Sequence, residues 1–205
     1  MKCEEKYLEI YCALPKNKVF CPYRISPLGA HIDHQYGKIN GLAIDKGIHI
    51  AYSRKENGVV ELQSLNFPKR AQFHVASIPE EKVGGLGGSL QRRGKDAGRE
   101  VSAALWYQRC DRRHAADWGL SSSASVIIAF LSALASVNGI KLEPWETIMM
   151  AKAAENKYVG VNCGKLDQSC EVLCKKDQLL YLDCADDSYS LIPWIGPKFT
   201  ITQAH

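Results

Sequence analysis

The chain has 205 residues, 26 Lys and Arg against 22 Asp and Glu, and an apolar share of 46%. It is long enough for one or two domains with a real core, and too apolar to be a disordered polymer. It holds no apolar run near the ~20 residues of a membrane-spanning helix. Met1 to Glu9 carries acids and no apolar stretch, unlike a signal peptide, and the eight cysteines include no C-x-x-C pair. The expectation is a cytoplasmic protein with reduced thiols, no zinc and no membrane partner.

In chain order, Glu4 to Ala13 reads as a short helix. The segment around Arg24 reads as strand and loop, punctuated by Pro22, Pro27 and Gly29. Ile39 to Ser53 and Val59 to Leu65 are rich in β-formers, and Asn57-Gly58 between them predicts a hairpin turn. Phe73 to Val75 predicts a further strand. Val126 to Asn138 predicts a buried helix that stops at Asn138-Gly139. Pro144 suits the first turn of a second helix reaching about Tyr158. Leu166 to Cys174 predicts a third helix, and Leu179 to Asp183 a strand. The mixture is α+β.

Three segments carry chemistry. In Gly119-Leu120-Ser121-Ser122-Ser123-Ala124, small residues stand directly before a helix. Free backbone N–H groups there lie at the positive end of the helix dipole and suit a phosphate. The serine hydroxyls add donors, and one of them can ligate Mg²⁺. The other two segments are Pro22-Tyr23-Arg24-Ile25-Ser26-Pro27-Leu28-Gly29-Ala30-His31-Ile32-Asp33-His34-Gln35 and Asn162-Cys163-Gly164-Lys165-Leu166-Asp167-Gln168-Ser169.

In this order and at this spacing, the three segments resemble the galactokinase family of the GHMP kinases, whose motifs read P-G-R-V-N-L-I-G-E-H-T-D-Y, G-L-S-S-S-A and C-G-x-M-D-Q. The resemblance covers about 21–80 and 119–185. It implies the GHMP kinase N-terminal fold (ribosomal protein S5 domain 2-like, α+β) over residues 1–205, incomplete, with the C-terminal domain missing. The implied reaction moves the ATP γ-phosphoryl to the C1 hydroxyl of a galactose-type sugar. Asp167 matches the family's base, and Arg24 the guanidinium beside it. Asp33 and His31 match sugar-binding positions. Gly119, Leu120, Ser121, Ser122, Ser123 and Ala124 match the ATP loop, with Ser123 as the Mg²⁺ ligand. Many galactokinases add a metal-holding Glu where this chain has Ile127. The expectation is therefore Mg²⁺ held by Ser123, water and phosphate alone.

Ala30 stands where galactokinases have a Glu near the sugar C6 hydroxyl. Its loss removes repulsion against an acidic sugar. Together with the strings around it, this resembles the galacturonokinase branch and favours D-galacturonic acid; the alternative is galactokinase action on D-galactose. A reading of another class is a non-catalytic, galactokinase-like sugar-binding regulator or an inactive fragment. Oligomeric state is not legible, and the chain alone is expected to have little kinase activity.

Residues 82–118 do not fit the resemblance. They hold eight Lys or Arg against four acids, which is the whole net charge of +4. This confinement argues against a nucleic-acid partner. Codons able to encode Ala104 to Gly119, shifted by one nucleotide, permit the apolar strand and turn that the resemblance implies. The stretch is read here as out of frame. Taken as written, it lacks the apolar pattern of a central strand.

Overall fold

The computed structural model describes residues 3–65, 71–74, 104–109, 121–160 and 162–196. Helix α1 (Cys3–Tyr11) precedes strands β1 (Asn17–Ile25), β2 (Lys38–Ser53), β3 (Val59–Ser64), β4 (Ala71–His74) and β5 (Ala104–Arg109). Helices α2 (Ser122–Val137), α3 (Pro144–Ala154) and α4 (Leu166–Leu173) follow, then β6 (Gln178–Asp183) and β7 (Tyr189–Pro193). The strands form one sheet in the order β4-β3-β5-β2-β6-β7, with β1 paired to β2 beside that path.

The sixteen residues of β2 organise this sheet. Lys38–Gly41 pairs with β6, and Leu42–Tyr52 pairs with β1. Ile48–Ser53 also pairs with β5. Side chains along a strand alternate between faces. Ile48, Ile50 and Tyr52 accordingly join the core under α2, while Ala51 between them packs on the other face with Cys3 and Tyr7 of α1. Helix α2 is apolar nearly all round, and ten of its sixteen residues are buried, as a helix of that composition requires. A second core joins Ile148 of α3, Leu166, Cys170 and Leu173 of α4, and Ile39, Leu180 and Leu182 of the sheet.

Two expectations are corrected. Asn57-Gly58 does turn the chain, with the Asn57 carboxamide accepting from the Val59 N–H at 3.2 Å, but β2 and β3 do not pair as a hairpin. Strand β5 lies between them, antiparallel to β2 and parallel to β3. Five residues from Arg54 to Gly58 separate the two strands, enough to splay them by one strand width. Second, the backbone of Ala104–Arg109 forms a central strand within the stretch read as lacking one. The run Leu105-Trp106-Tyr107 is a β-forming trio. The rest of 82–118 lies outside the described residues.

Helix starts follow local chemistry. At α3, Glu143 and Glu146 form a capping box and Pro144 opens the first turn. Helix α2 starts four residues before the expected Val126, because Ser121 adopts a left-handed conformation (φ 63°) that turns the chain into it. After α3 the chain widens into a π turn, Glu155–Val159. Strand β7 was not expected; its alternating polar residues carry little signal.

Candidate active site

Strand β1 delivers the first site residue through an irregular ladder. Pro22 pairs with Gly47 and Arg24 with Ala43, so Ile44–Lys46 of β2 stand opposite the single residue Tyr23. Such bulges re-aim side chains and are frequent beside functional sites. Tyr23 is fully buried. Arg24 points instead to α4, where Nε donates to Asp167 Oδ1 at 2.8 Å and Nη2 lies 2.6 Å from the same oxygen. The two side chains are 15% and 25% exposed. This joins residues 143 positions apart.

The second contact fixes the start of α4. Asp33, on the 3₁₀ turn Asp33–Gln35, accepts from the Leu166 N–H through Oδ2 at 3.1 Å. Its Oδ1 accepts from the His34 N–H at 3.0 Å. The carboxylate thereby satisfies one of the orphan N–H groups of the helix and favours its positive end. Gly164 makes this approach possible, since a Cβ there would stand 2.1 Å from Asp33 Oδ2. Beside it, Lys165 pairs with Asp187. Ala30 and His31 are exposed in the turn that leads to Asp33.

The small-residue loop reaches the same place. Gly119 and Leu120 lie outside the described residues. Ser121 is buried at the helix start, Ser122 is half-buried, Ala124 is buried and Ser123 is exposed. Ser123 Oγ donates to Glu155 Oε1 at 2.6 Å. Glu155 is buried, and its other oxygen accepts from Gln168, the neighbour of Asp167. Cys163 Sγ also lies 3.5 Å from that oxygen; burial first, then the Glu155 charge, pushes its thiol up to about 11. Ser125 Oγ sits 2.7 Å from Glu171 Oε1 and 2.9 Å from the Pro22 carbonyl. Serines of the loop, β1 and α4 are thus linked directly.

The sequence reading passed over Glu155 and Glu171. Glu171 was findable, because it lies one helical turn beyond Asp167 on the same face. Glu155 opens the π turn that follows α3, and only the fold brings it to Ser123. Together Ser123 and Glu155 are hard oxygen donors of the kind Mg²⁺ takes. Among the described residues, no group of three or more His, Cys, Asp and Glu forms a metal cluster. No described helix is long and apolar enough to cross a membrane.

The family model described as the GHMP kinases N terminal domain matches residues 109–175. The chain carries a GHMP kinase N-terminal domain. A galacturonokinase of Arabidopsis thaliana is 32% identical to it, over 91% of this chain and 49% of that protein. A galactokinase of Thermococcus kodakarensis is 31% identical, over 86% and 50%. Among solved structures, the galactokinase of Lactococcus lactis complexed with galactose superposes with a TM-score of 0.78 at 28% identity, covering 93% of this chain and 50% of that one. A mevalonate kinase of Methanococcus jannaschii shares the fold at 14% identity and a TM-score of 0.67. The chain spans about half the length of the curated relatives it matches. This GHMP kinase domain therefore corresponds to one half of such proteins.

Proposed function

We propose that this chain is the nucleotide- and sugar-binding half of an ATP-dependent sugar kinase acting on the C1 hydroxyl of a galactose-type sugar, with D-galacturonic acid preferred over D-galactose. The reading rests above all on the Arg24–Asp167 pair held beside the serine loop. Phosphoryl transfer needs positioning, charge neutralisation and a proton acceptor. Asp167 takes the hydroxyl proton. Arg24 orients that carboxylate and stabilises charge on the transferring phosphoryl, as planar delocalised donors do.

Residues 119–124 cradle the ATP phosphates at the start of α2. Ser123 and Glu155 would hold Mg²⁺, which neutralises phosphate charge when bound; Glu155 thus replaces the carboxylate missing at Ile127. Asp33 anchors α4 and offers its carboxylate to sugar hydroxyls, with His31 alongside. Ala30, exposed in the same turn, leaves space and no negative charge for an acidic C6 group. The relative from Arabidopsis thaliana named a galacturonokinase favours the same substrate.

The test is ADP release by the full-length kinase that contains this half, supplied with Mg·ATP and galacturonate, galactose, glucuronate or glucose in turn. Galacturonate is expected to give the highest kcat/KM. Asp167→Asn should lower kcat by about 10²–10⁴-fold, the usual weight of acid–base assistance, while ATP still binds. Full turnover by that variant would end the proposal.

A further inference from the structure

Glu171 is a carboxyl that the chemistry above does not use. It lies one helical turn from Asp167 in α4 and is buried. Its Oε1 is 2.7 Å from Ser125 Oγ, and the same hydroxyl is 2.9 Å from the Pro22 carbonyl of β1 and 3.1 Å from the Ser121 carbonyl. A serine hydroxyl has a single proton to give. It cannot donate to all three acceptors. The arrangement is satisfied if the Glu171 carboxyl keeps its own proton and donates it to Ser125, which then donates onward to a backbone carbonyl.

The surroundings favour that state. Burial pushes the Glu171 carboxyl well above the usual carboxylate range, and the Asp167 charge adds to this. Ser125, Ser121 and Arg24 act in the opposite direction. Cys21 of β1 also feels Glu171.

We propose that Glu171 is a positioning residue: by hydrogen bonding to the first turn of α2 through Ser125, it fixes the phosphate-binding loop against the helix that carries Asp167. The inference rests on the kinase reading of the site. One strut then sets the distance between the nucleotide's phosphates and the Arg24–Asp167 pair. Its neutral form suits the place, since an anion behind a phosphate loop would repel the nucleotide.

The experiment is calorimetric titration of the purified chain with Mg·ATP across pH 5.5–9, for wild type, Glu171→Gln, Glu171→Ala and Ser125→Ala, with urea unfolding of each. Gln keeps a neutral donor and acceptor of the same shape. Glu171→Gln should bind as wild type does, because it keeps the hydrogen bond to Ser125 without a charge. Glu171→Ala and Ser125→Ala should each bind about tenfold more weakly, on the order of one lost hydrogen bond. Ser125→Ala deletes only one oxygen and guards against a Glu171→Ala chain that does not fold. Equal affinity in wild type and Ser125→Ala, or a Glu171→Gln chain that binds as weakly as Glu171→Ala, overturns the proposal and leaves the kinase reading intact. A wild-type chain that binds no Mg·ATP removes the kinase reading and this proposal together.

Discussion

Replacing Arg24 by Met and Asp167 by Asn, singly and together, measures how firmly the site is tied. The guanidinium reaches Asp167 Oδ1 with two nitrogens, at 2.6 and 2.8 Å, and the side chains are 15% and 25% exposed. Exposed pairs contribute about 0–1 kcal/mol. Removing one partner of a fully buried pair costs about 3–5 kcal/mol. This pair lies between those limits, so Arg24→Met is expected to lower stability by about 2 kcal/mol. Asp167→Asn keeps an acceptor oxygen and should cost about 1 kcal/mol, the net value of an ordinary hydrogen bond. Urea unfolding with linear extrapolation reads both. In a domain of this size the Arg24→Met midpoint on heating should fall by about 4–8 °C. The double variant should recover about 1 kcal/mol relative to the sum of the singles, because each single already removes the ion pair that the two residues share. Additivity within about 0.5 kcal/mol would mean that the two groups do not meet in solution.

Gly164→Ala should push Asp33 off the start of α4, because the new methyl would stand 2.1 Å from Asp33 Oδ2; sugar affinity measured by calorimetry should fall more than ATP affinity. In Gly41→Ala the methyl would stand 2.1 Å from Cys170 Sγ. This should destabilise by about 1–3 kcal/mol, and Cys170→Ala in the same chain should return part of the loss, as urea midpoints will read. Ala30→Glu, in the active kinase, should lower kcat/KM for galacturonate relative to galactose by about tenfold or more, since like charges a few ångströms apart in a partly buried site cost several kcal/mol. An unchanged ratio would place the sugar's acid group elsewhere. Burial holds the Cys3, Cys163 and Cys184 thiols up at about 11. Above the ordinary thiol range the unfolded chain loses these protons while the folded one keeps them, so stability should fall as pH rises from 9 towards 11. A urea midpoint that holds constant over that interval would contradict the burial of these thiols.

Two of the site's motifs were legible because they sit at helix starts, where composition and backbone geometry are tightly linked: the serines before Val126 and Leu166-Asp167-Gln168. Pro22-Tyr23-Arg24 lies inside β1, near its end. The apolar run gave α2 to its end but missed its first turn, and α4 was placed to within a residue. The pairing of β2 was not legible. Nothing in Asn57-Gly58 reveals that a strand from forty residues later enters between its neighbours. The roles of Glu155 and Glu171 were hidden for a related reason: an acid in a helix looks solvated until the partner that buries it is known. For Glu171 the one available clue was its spacing of four residues from Asp167, which puts both on one helix face.

The long strand β2 also fixes the order in which this molecule can be completed. Its first four residues find their ladder partners only in Leu180–Asp183, near the far end of the described chain. A nascent polypeptide leaving the ribosome must therefore wait for nearly all of this segment before that side of the sheet closes. Such distant pairing slows folding and leaves an open edge during synthesis. Amides of Ile48–Tyr52, the part of β2 that lies between β1 and β5, should be the last to exchange with deuterium.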